Sequence, residues 1–326
     1  MQSGPQFVVV SGTLGSGKTS MLENLLSSVD GADTAVIVNE AGEINIDGAV
    51  LSESAVGMSM VTLSNGCVCC SLQSDLVTTV QDLMQFRQSS GQGPLSRIVL
   101  ECSGISRPSP IISSLQDLAS FRFRLHLVTT YDCSRPPLQT ADFEDSVAQL
   151  AAAGTIVLTK IDMVTNESRD QALAVARSVN PLGRVVNEFS ASVRAQEAFK
   201  PPENTEVFVE KAQTELSVRR HLIHPRVRVF RAKYDASMPW DAALDWLENI
   251  AGALGERLLR IKAIVRGESA GDCLLLQSVG TSFSAPRRLR SKTMMQYGAI
   301  VIARDCGTED LSIIQTGHEV NWLQGW

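Results

Sequence analysis

The chain has 326 residues, of which 44% are hydrophobic, and a formal net charge of −6 at pH 7. This length allows two domains and this hydrophobic content supports packed cores, so we exclude a disordered chain. The acidic charge argues against an extended nucleic-acid surface, and we find neither an apolar run of membrane-spanning length nor a secretory signal. Seven cysteines, three of them within residues 67–70, favour free thiols over disulfides. We therefore expect a cytoplasmic protein that binds neither nucleic acid nor membrane.

The first motif is the glycine-rich stretch 12–19, which fits the phosphate-binding pattern G-x-x-x-x-G-K-[ST] at every fixed position. An apolar, strand-like run precedes it at residues 7–10, and a helical pattern follows at 20–26. Glycines let backbone N–H groups surround phosphates, and the helix adds its positive N-terminal end. We expect Lys18 to act on the outer phosphates and Thr19 to ligate Mg²⁺. A turn that binds nothing explains the complete pattern less well. The predicted nucleotide-binding residues of this stretch are Gly12, Gly15, Ser16, Gly17, Lys18, Thr19 and Ser20.

An acidic segment follows the second predicted strand, Thr34–Asn39. Its carboxylates, on Glu40, Glu43 and Asp47, are candidates for contacts with Mg²⁺ or a second metal. Glu40 is our candidate for positioning the attacking water. The alternative is a solvated acidic loop, which is the better interpretation where no neighbouring motif supports a site.

A cysteine motif follows the short predicted strand Met60–Leu63. Thiolates of Cys67, Cys69 and Cys70 favour soft or borderline metals such as Zn²⁺ and Co²⁺. In an extended backbone, Cys67 and Cys69 point to the same side, so two or three thiolates can converge and leave an open coordination position. The alternative is three buried cysteines that pack as small apolar residues.

The apolar run Arg97–Glu101 predicts a strand that ends in a carboxylate. A rigid strand end is a suitable place for an acidic residue that supports Mg²⁺ directly or through a water, so Glu101 is a candidate catalytic residue. Ser103 and Gly104 follow as a second loop, in which the Gly104 N–H is a candidate contact for the terminal phosphate. The alternative is a purely structural carboxylate, which is costly to bury without a partner.

A guanine-recognition pattern closes the first part of the chain, where residues 155–158 lead into Thr159, Lys160 and Asp162. The pattern is the Asn-Lys-x-Asp of GTPases with Thr in place of Asn. We expect Asp162 to accept hydrogen bonds from guanine and the aliphatic part of Lys160 to lie over the base. The single hydroxyl of Thr159 provides fewer hydrogen bonds than an amide.

Strand-like and helical patterns alternate from Gln6 to Phe189, which predicts an α/β fold with a mostly parallel sheet covered by helices on both faces. We assign residues 1–199 to a P-loop domain, 200–225 to a linker and 226–326 to a smaller C-terminal α+β domain. His221 and His224 lie in the linker. We interpret them as surface polar residues in preference to metal ligands.

These motifs, in this order, resemble the CobW-type GTPases, a group of P-loop metallochaperones. The resemblance rests on residues 12–19, 39–43 with Asp47, 66–70, 101–104 with Pro108, and 160–162, and continues more weakly over 255–262. It implies a GTPase that binds GTP or GDP with Mg²⁺ and carries Zn²⁺, or secondly Co²⁺, on Cys67, Cys69 and Cys70. It also implies delivery to a client metalloprotein through the C-terminal domain, and leaves a homodimer open. The histidine-rich tract of many members is absent, since the chain has four histidines.

Two other functions remain open from the sequence. A P-loop kinase for a small molecule needs an acceptor pocket and has no use for the cysteine motif or for Lys160 and Asp162. A non-catalytic zinc-binding interaction module needs the cysteines but no nucleotide turnover. Slow turnover alone does not separate these alternatives from a GTPase, because unassisted GTPases are slow.

Overall fold

The computed structural model describes residues 4–27, 33–39, 60–63, 72–89, 91, 93–135, 143–200, 226–234, 237–268, 272–289 and 297–324. The chain divides into two compact units, Met1–Leu173 with Gly183–Pro202 and Ala174–Leu182 with Glu203–Trp326. The predicted acidic and cysteine sites, Glu40, Glu43, Asp47, Cys67, Cys69 and Cys70, lie outside the described residues. So do His221 and His224.

The first unit contains a parallel sheet whose strands alternate along the chain with helices. The strands are β1 (Gln6–Ser11), β2 (Thr34–Asn39), β3 (Met60–Leu63), β4 (Arg97–Glu101), β5 (Arg124–Asp132), β6 (Thr155–Thr159) and β7 (Arg184–Val186). They lie in the order β3-β2-β4-β1-β5-β6-β7, and all of these neighbours pair in parallel. The middle of β1 (Phe7–Val10) and of β4 (Ile98–Leu100) is a continuous apolar run because both faces of the sheet are buried there.

Helices cover both faces of this sheet, as the alternation predicted. They are α1 (Lys18–Leu26), α2 (Leu72–Ser89), α3 (Pro108–Gln116), α4 (Phe143–Ala152), α5 (Asn166–Val179) and α6 (Ala191–Phe199). On one face, Leu22 of α1 and Phe199 of α6 pack with Val8 and Val10 of β1. The intervening β1 side chains point to the opposite face, and α2, α3 and α4 pack successively against one another. The predicted α/β fold class is confirmed.

The second unit is built on an antiparallel sheet. Its strands are β8 (Val227–Tyr234), β9 (Leu258–Arg266), β10 (Cys273–Val279), β11 (Ser282–Phe283), β12 (Arg287–Leu289), β13 (Gly298–Arg304) and β14 (Val320–Gln324). Their order is β11-β10-β9-β13-β8-β14, with β12 also paired to β10. Helix α7 (Trp240–Leu254) buries Trp246 and Ile250 against Ile261 and Val301 of the sheet, and the short α8 (Thr308–Ser312) follows β13. This is the predicted α+β architecture.

Helices α3 and α6 and strand β14 are among the elements that the sequence analysis did not predict. Helix α3 begins at Pro108, which suits the first helical turn because a proline lacks the N–H that would be unbonded there. Helix α6 begins after Ser190, whose side chain accepts from the Val193 N–H and caps the helix. Strand β14 forms an edge of the second sheet by pairing with β8. In the part of the chain that the structure describes, no helix is long and apolar enough to span a membrane.

Strand β5 carries a buried histidine, His126, whose ring contacts side chains of β1 and β6. The amide of Gln6 donates to Nδ1 of His126 (3.1 Å), and Nε2 of His126 lies 3.0 Å from the Thr155 hydroxyl. Burial lowers the pKa of His126 to about 4, and the positive charges of Arg184 and Arg97 act in the same direction. The folded protein therefore keeps this imidazole neutral well below the pH at which an exposed histidine becomes charged.

This burial makes the first unit sensitive to acid in a defined range. The pKa of His126 is lower in the folded protein than in the unfolded chain. Its contribution to the free energy of unfolding is therefore complete above about pH 6.5 and is lost as the pH falls towards about 4. We expect the wild type to lose about 2 kcal/mol from this group between pH 7.5 and 5, and His126→Gln to lose much less. Urea unfolding followed by far-UV circular dichroism measures the difference.

The second sheet provides an internal control for this measurement. Every tryptophan lies at position 240 or beyond, so tryptophan fluorescence reports the second unit, whose pH dependence the substitution should leave unchanged. If circular dichroism gave the same pH dependence of the free energy of unfolding for the wild type and His126→Gln, the acid sensitivity could not be assigned to His126.

Candidate functional site

The loop between β1 and α1 has the backbone shape that its glycines permit. Gly12, Gly15 and Gly17 adopt φ angles of 143°, 72° and 89°, values that residues with a side chain rarely adopt. At Gly12 an added Cβ would also lie 2.1 Å from the Thr130 hydroxyl oxygen. Glycine is therefore required at this position for both conformation and space, as the motif predicted.

Lys18 extends back along the loop that precedes it. Its Nζ donates to the carbonyl of Gly12 (3.0 Å) and to that of Thr13 (3.3 Å), and the side chain is only 8% exposed. The Ser16 hydroxyl beside it is fully buried and lies 2.7 Å from the Thr130 hydroxyl on β5. The loop thus presents a buried ammonium group at the N-terminus of α1, where the helix dipole is also positive.

Thr19 and Glu101, predicted separately from the sequence, meet in the structure. The Thr19 hydroxyl donates to Oε1 of Glu101 at 2.9 Å, and Glu101 is 3% exposed. They meet because β4 pairs with β1 in a register that places Glu101 opposite Val10. A hydroxyl and a carboxylate next to a phosphate-binding loop are oxygen donors of the kind that Mg²⁺ prefers, so these residues fit the predicted ion.

The loop after β4 packs against the phosphate-binding loop. A Cβ added to Gly104 would lie 2.4 Å from the Leu14 backbone nitrogen, so only a residue without a side chain allows this approach. The amide of Gln149 on α4 donates to the carbonyls of Gly104 and Ser106, each at 3.0 Å. Arg107 pairs with Asp145 of the same helix at 2.8 Å. This loop, residues 102–107, is therefore held on α4, and we call it the switch loop.

The third predicted group follows β6. The Thr159 hydroxyl lies 2.7 Å from the Ser16 carbonyl and 3.2 Å from that of Tyr131, so it donates towards the phosphate-binding loop. Lys160 adopts a left-handed conformation, with φ 52°. Asp162 is exposed within a single 3-10 turn, Ile161–Met163. Thr159 therefore joins the strand end to the loop, and Asp162 remains accessible.

Asp132 is a site residue that the sequence analysis missed. Its Oδ2 accepts from Lys160 Nζ at 2.7 Å, and its Oδ1 accepts from the hydroxyl of Ser134 at 2.6 Å. Burial raises the pKa of Asp132, but hydrogen bonds from Lys160 and Ser134 outweigh burial and hold that pKa below its usual range. Its position at the carboxyl end of the strand next to β1, where open α/β sheets bind ligands, was the available signal.

Comparison with known proteins agrees with this geometry. The sequence model described as the CobW/HypB/UreG nucleotide-binding domain matches residues 6–187, more than half of the chain. The chain belongs to this family. The model of the cobalamin synthesis protein CobW C-terminal domain matches residues 227–312.

Individual relatives of this CobW/HypB/UreG member carry related names. It is 30% identical to the zinc chaperone CobW of Pseudomonas aeruginosa, over 59% of this chain and 56% of that protein. It is 28% identical to the zinc chaperone YjiA of Escherichia coli, over 85% and 86% respectively, and 28% identical to the zinc-regulated GTPase metalloprotein activator 1 of Dictyostelium discoideum, over 64% and 50%. The chain therefore spans about half the length of two of these relatives. Its fold matches the crystal structure of Zn(II)-bound YjiA GTPase from E. coli with a TM-score of 0.63 at 19% identity, over 96% and 98% of the two chains.

The cysteines of this CobW/HypB/UreG protein that the structure describes are buried thiols. They are Cys102, Cys133, Cys273 and Cys306. Burial raises the pKa of Cys102 to about 12 and the pKa values of Cys133 and Cys306 to about 11. A thiol must lose its proton to bind a metal, so these three are poor ligands. Within the described part of the chain, no group of three or more His, Cys, Asp or Glu side chains is placed to hold a metal.

Removing the Thr159 hydroxyl tests whether this residue supports the loop or recognises the base. In Thr159→Val the buried Ser16 carbonyl loses its donor, so we expect a loss of about 1–2 kcal/mol in the free energy of unfolding. We also expect weaker binding of both GTP and ATP. Thr159→Ser keeps the hydroxyl and is the control. A Thr159→Val protein that changes only the ratio of GTP to ATP affinity would contradict loop support and indicate base recognition.

A methyl group at position 104 tests the packing of the two loops. Gly104→Ala forces the loop after β4 away from Leu14, so we expect GTP hydrolysis to fall by about tenfold or more, an effect of about 1.4 kcal/mol on the barrier. GDP affinity should change much less. Gly252→Ala is the matched control, because a methyl group there meets open space. Single-turnover hydrolysis measures the effect, and equal rates for Gly104→Ala and Gly252→Ala would show that the contact has no role in turnover.

Proposed function

We propose that this chain is a GTP-hydrolysing metallochaperone that carries zinc and releases it to a client metalloprotein according to its nucleotide state. The observation that carries this proposal is the convergence of Lys18, Thr19 and Glu101 at the carboxyl edge of the parallel sheet. Strand β3 ends at that same edge, and Cys67, Cys69 and Cys70 follow it within seven residues of the sequence.

The described residues support the binding of a nucleotide and Mg²⁺. Lys18 and the N–H groups of residues 12–19 would hold the phosphates, and Thr19 with Glu101 would hold Mg²⁺. When bound, Mg²⁺ neutralises charge that develops on the phosphates. Lys18 contributes a second positive charge from a buried position, where electrostatic interactions are stronger than in water.

The order of the strands suggests how nucleotide and metal communicate. Across the sheet the carboxyl ends follow the order β3, β2, β4, β1, so the segments that follow them carry the cysteines, the acidic residues, the switch loop and the phosphate-binding loop in that order. Neighbouring strands lie about 4.8 Å apart, so the ends of β3 and β1 are separated by about 14 Å. We infer that the segments after β2 and β4 transmit the nucleotide state across this distance.

The switch loop is suited to this transmission. Gln149 and Arg107 hold it on α4 through hydrogen bonds and an ion pair. At its other side Gly104 touches Leu14 of the phosphate-binding loop. A GTP phosphate that binds the Gly104 N–H would add a contact to this loop, and hydrolysis would remove it. The nucleotide can shift this loop between two arrangements only if it binds to one arrangement more tightly than to the other.

The cargo is assigned from sequence and relatives together. Cys67, Cys69 and Cys70 supply thiolates, and zinc is named in several relatives. The buried cysteines with raised pKa values leave this motif as the best thiolate source. Cobalt is the second candidate because thiolate sites accept both ions. The C-terminal α+β unit is the candidate surface for the client.

Metal titration in two nucleotide states tests the coupling. We expect Co²⁺ and Zn²⁺ to bind more tightly, by about tenfold or more, with Mg²⁺ and a non-hydrolysable GTP analogue than with GDP, as a typical coupling of 1–3 kcal/mol requires. Co²⁺–thiolate absorption reports the cysteines directly. Cys67→Ser or Cys69→Ser should abolish the absorption.

Cys306→Ser is the matched control, because this buried thiol should leave both titrations unchanged. Equal metal affinity in the two nucleotide states would contradict control of metal binding by the nucleotide and would favour a structural zinc site. Metal transfer that persists in Lys18→Ala, in spite of lost hydrolysis, would also contradict gating by the nucleotide.

A further inference from the structure

Arg135 lies three residues beyond the end of β5, and its side chain reaches the phosphate-binding loop. Its Nη2 donates to the carbonyl of Leu14 at 2.6 Å, and a Cβ added to Gly15 would lie 3.4 Å from the same nitrogen. Leu14 and Gly15 are inner positions of the motif, whose backbone N–H groups surround the phosphates in loops of this kind. The guanidinium group therefore lies against the loop that holds the nucleotide.

Asp132 positions this guanidinium group. Arg135 Nε lies 3.4 Å from Oδ2 of Asp132, the same oxygen that accepts from Lys160 Nζ at 2.7 Å. The Asp132 side chain is 2% exposed, and Ser134 binds its other oxygen. One buried carboxylate thus faces two cations, which leaves an excess of positive charge beside the loop. An anion bound there would offset this excess.

The side chain of Arg135 has both the exposure and the chemistry to bind a ligand. It is 42% exposed, so a nucleotide can reach it. Its guanidinium group presents five N–H donors in a planar fork that matches phosphate oxygens. The Leu14 carbonyl is a neutral acceptor, and hydrogen bonds to a charged acceptor are about twice as strong. Exchange of this carbonyl for a phosphate oxygen is therefore favourable.

We propose that Arg135 is a nucleotide-binding residue whose guanidinium group contacts the phosphates of GTP and GDP from the β-phosphate outward. This inference rests on the proposed function only in that residues 12–19 bind a guanine nucleotide. It requires neither hydrolysis nor metal transfer. No sequence motif contains Arg135. Its side chain reaches the phosphate-binding loop because β5 pairs with β1.

A series of nucleotides that differ only in phosphate number tests the proposal. We expect Arg135→Gln to lower the affinity for GTP and GDP by about thirtyfold and the affinity for GMP by about threefold or less. The reason is that the lost hydrogen bonds are charge-assisted contacts to the outer phosphates. Arg135→Lys keeps the charge without the fork and should give an intermediate loss. Competition against a fluorescent guanine nucleotide in the full-length protein measures all three affinities.

Arg124→Gln is the matched control, since Arg124 begins the same strand about 26 Å from its other end, and its three affinities should equal those of the wild type. Equal losses of GTP, GDP and GMP affinity in Arg135→Gln, or a lower melting temperature without ligand, would overturn the proposal by showing loop support. Unchanged affinities would overturn it as well. A wild-type protein that binds GTP and GDP but never hydrolyses GTP would refute the proposed function alone, and a wild-type protein that binds neither would refute both.

Discussion

Side chains from the neighbouring strands hold the backbone of residues 12–19, and nucleotide binding depends on this restraint. Thr130 of β5 contacts the Ser16 hydroxyl, and Thr159 of β6 donates to the Ser16 carbonyl. On the other side, Gly104 packs against Leu14 so closely that no side chain fits between them. A loop that is fixed before its ligand arrives loses less conformational entropy on binding. Under the proposed function, these contacts raise affinity by ordering the loop before the nucleotide binds.

The proposed function requires a metal and a nucleotide to influence each other across one sheet. Under it, the metal and the nucleotide bind after strands that lie three positions apart, and the ends of those strands are separated by about 14 Å. The coupling free energy must then be stored in segments that have two arrangements, and the loop held by Gln149 is one candidate. Such coupling is reciprocal, so metal binding must also change the affinity for GTP.

Most of the fold could be predicted from the sequence because its strands are apolar runs in a regular alternation with helices. Helices α3 and α6 were missed because their signals are local, a proline at the first turn and a serine cap, and neither has a long apolar period. Thr19 and Glu101 were each predicted from chemistry as residues for Mg²⁺, whereas their contact comes from the pairing of β4 with β1. Asp132 had only the general signal of a strand end, and Gln149 had none. Their roles come from pairing and packing between distant segments, which no spacing in one sequence reveals.

The replacement of asparagine by Thr159 changes how guanine recognition must work. A hydroxyl has one hydrogen to donate, and in this chain it points to the Ser16 carbonyl. The amine of Lys160 is likewise engaged by Asp132. Under the proposed function, the polar recognition of guanine therefore falls on the exposed Asp162. A hydrogen bond to a charged group contributes roughly 1.5–3 kcal/mol, which corresponds to roughly ten- to hundredfold in affinity. The Asp162 carboxylate can thus maintain a preference for GTP while the Thr159 hydroxyl holds the phosphate-binding loop.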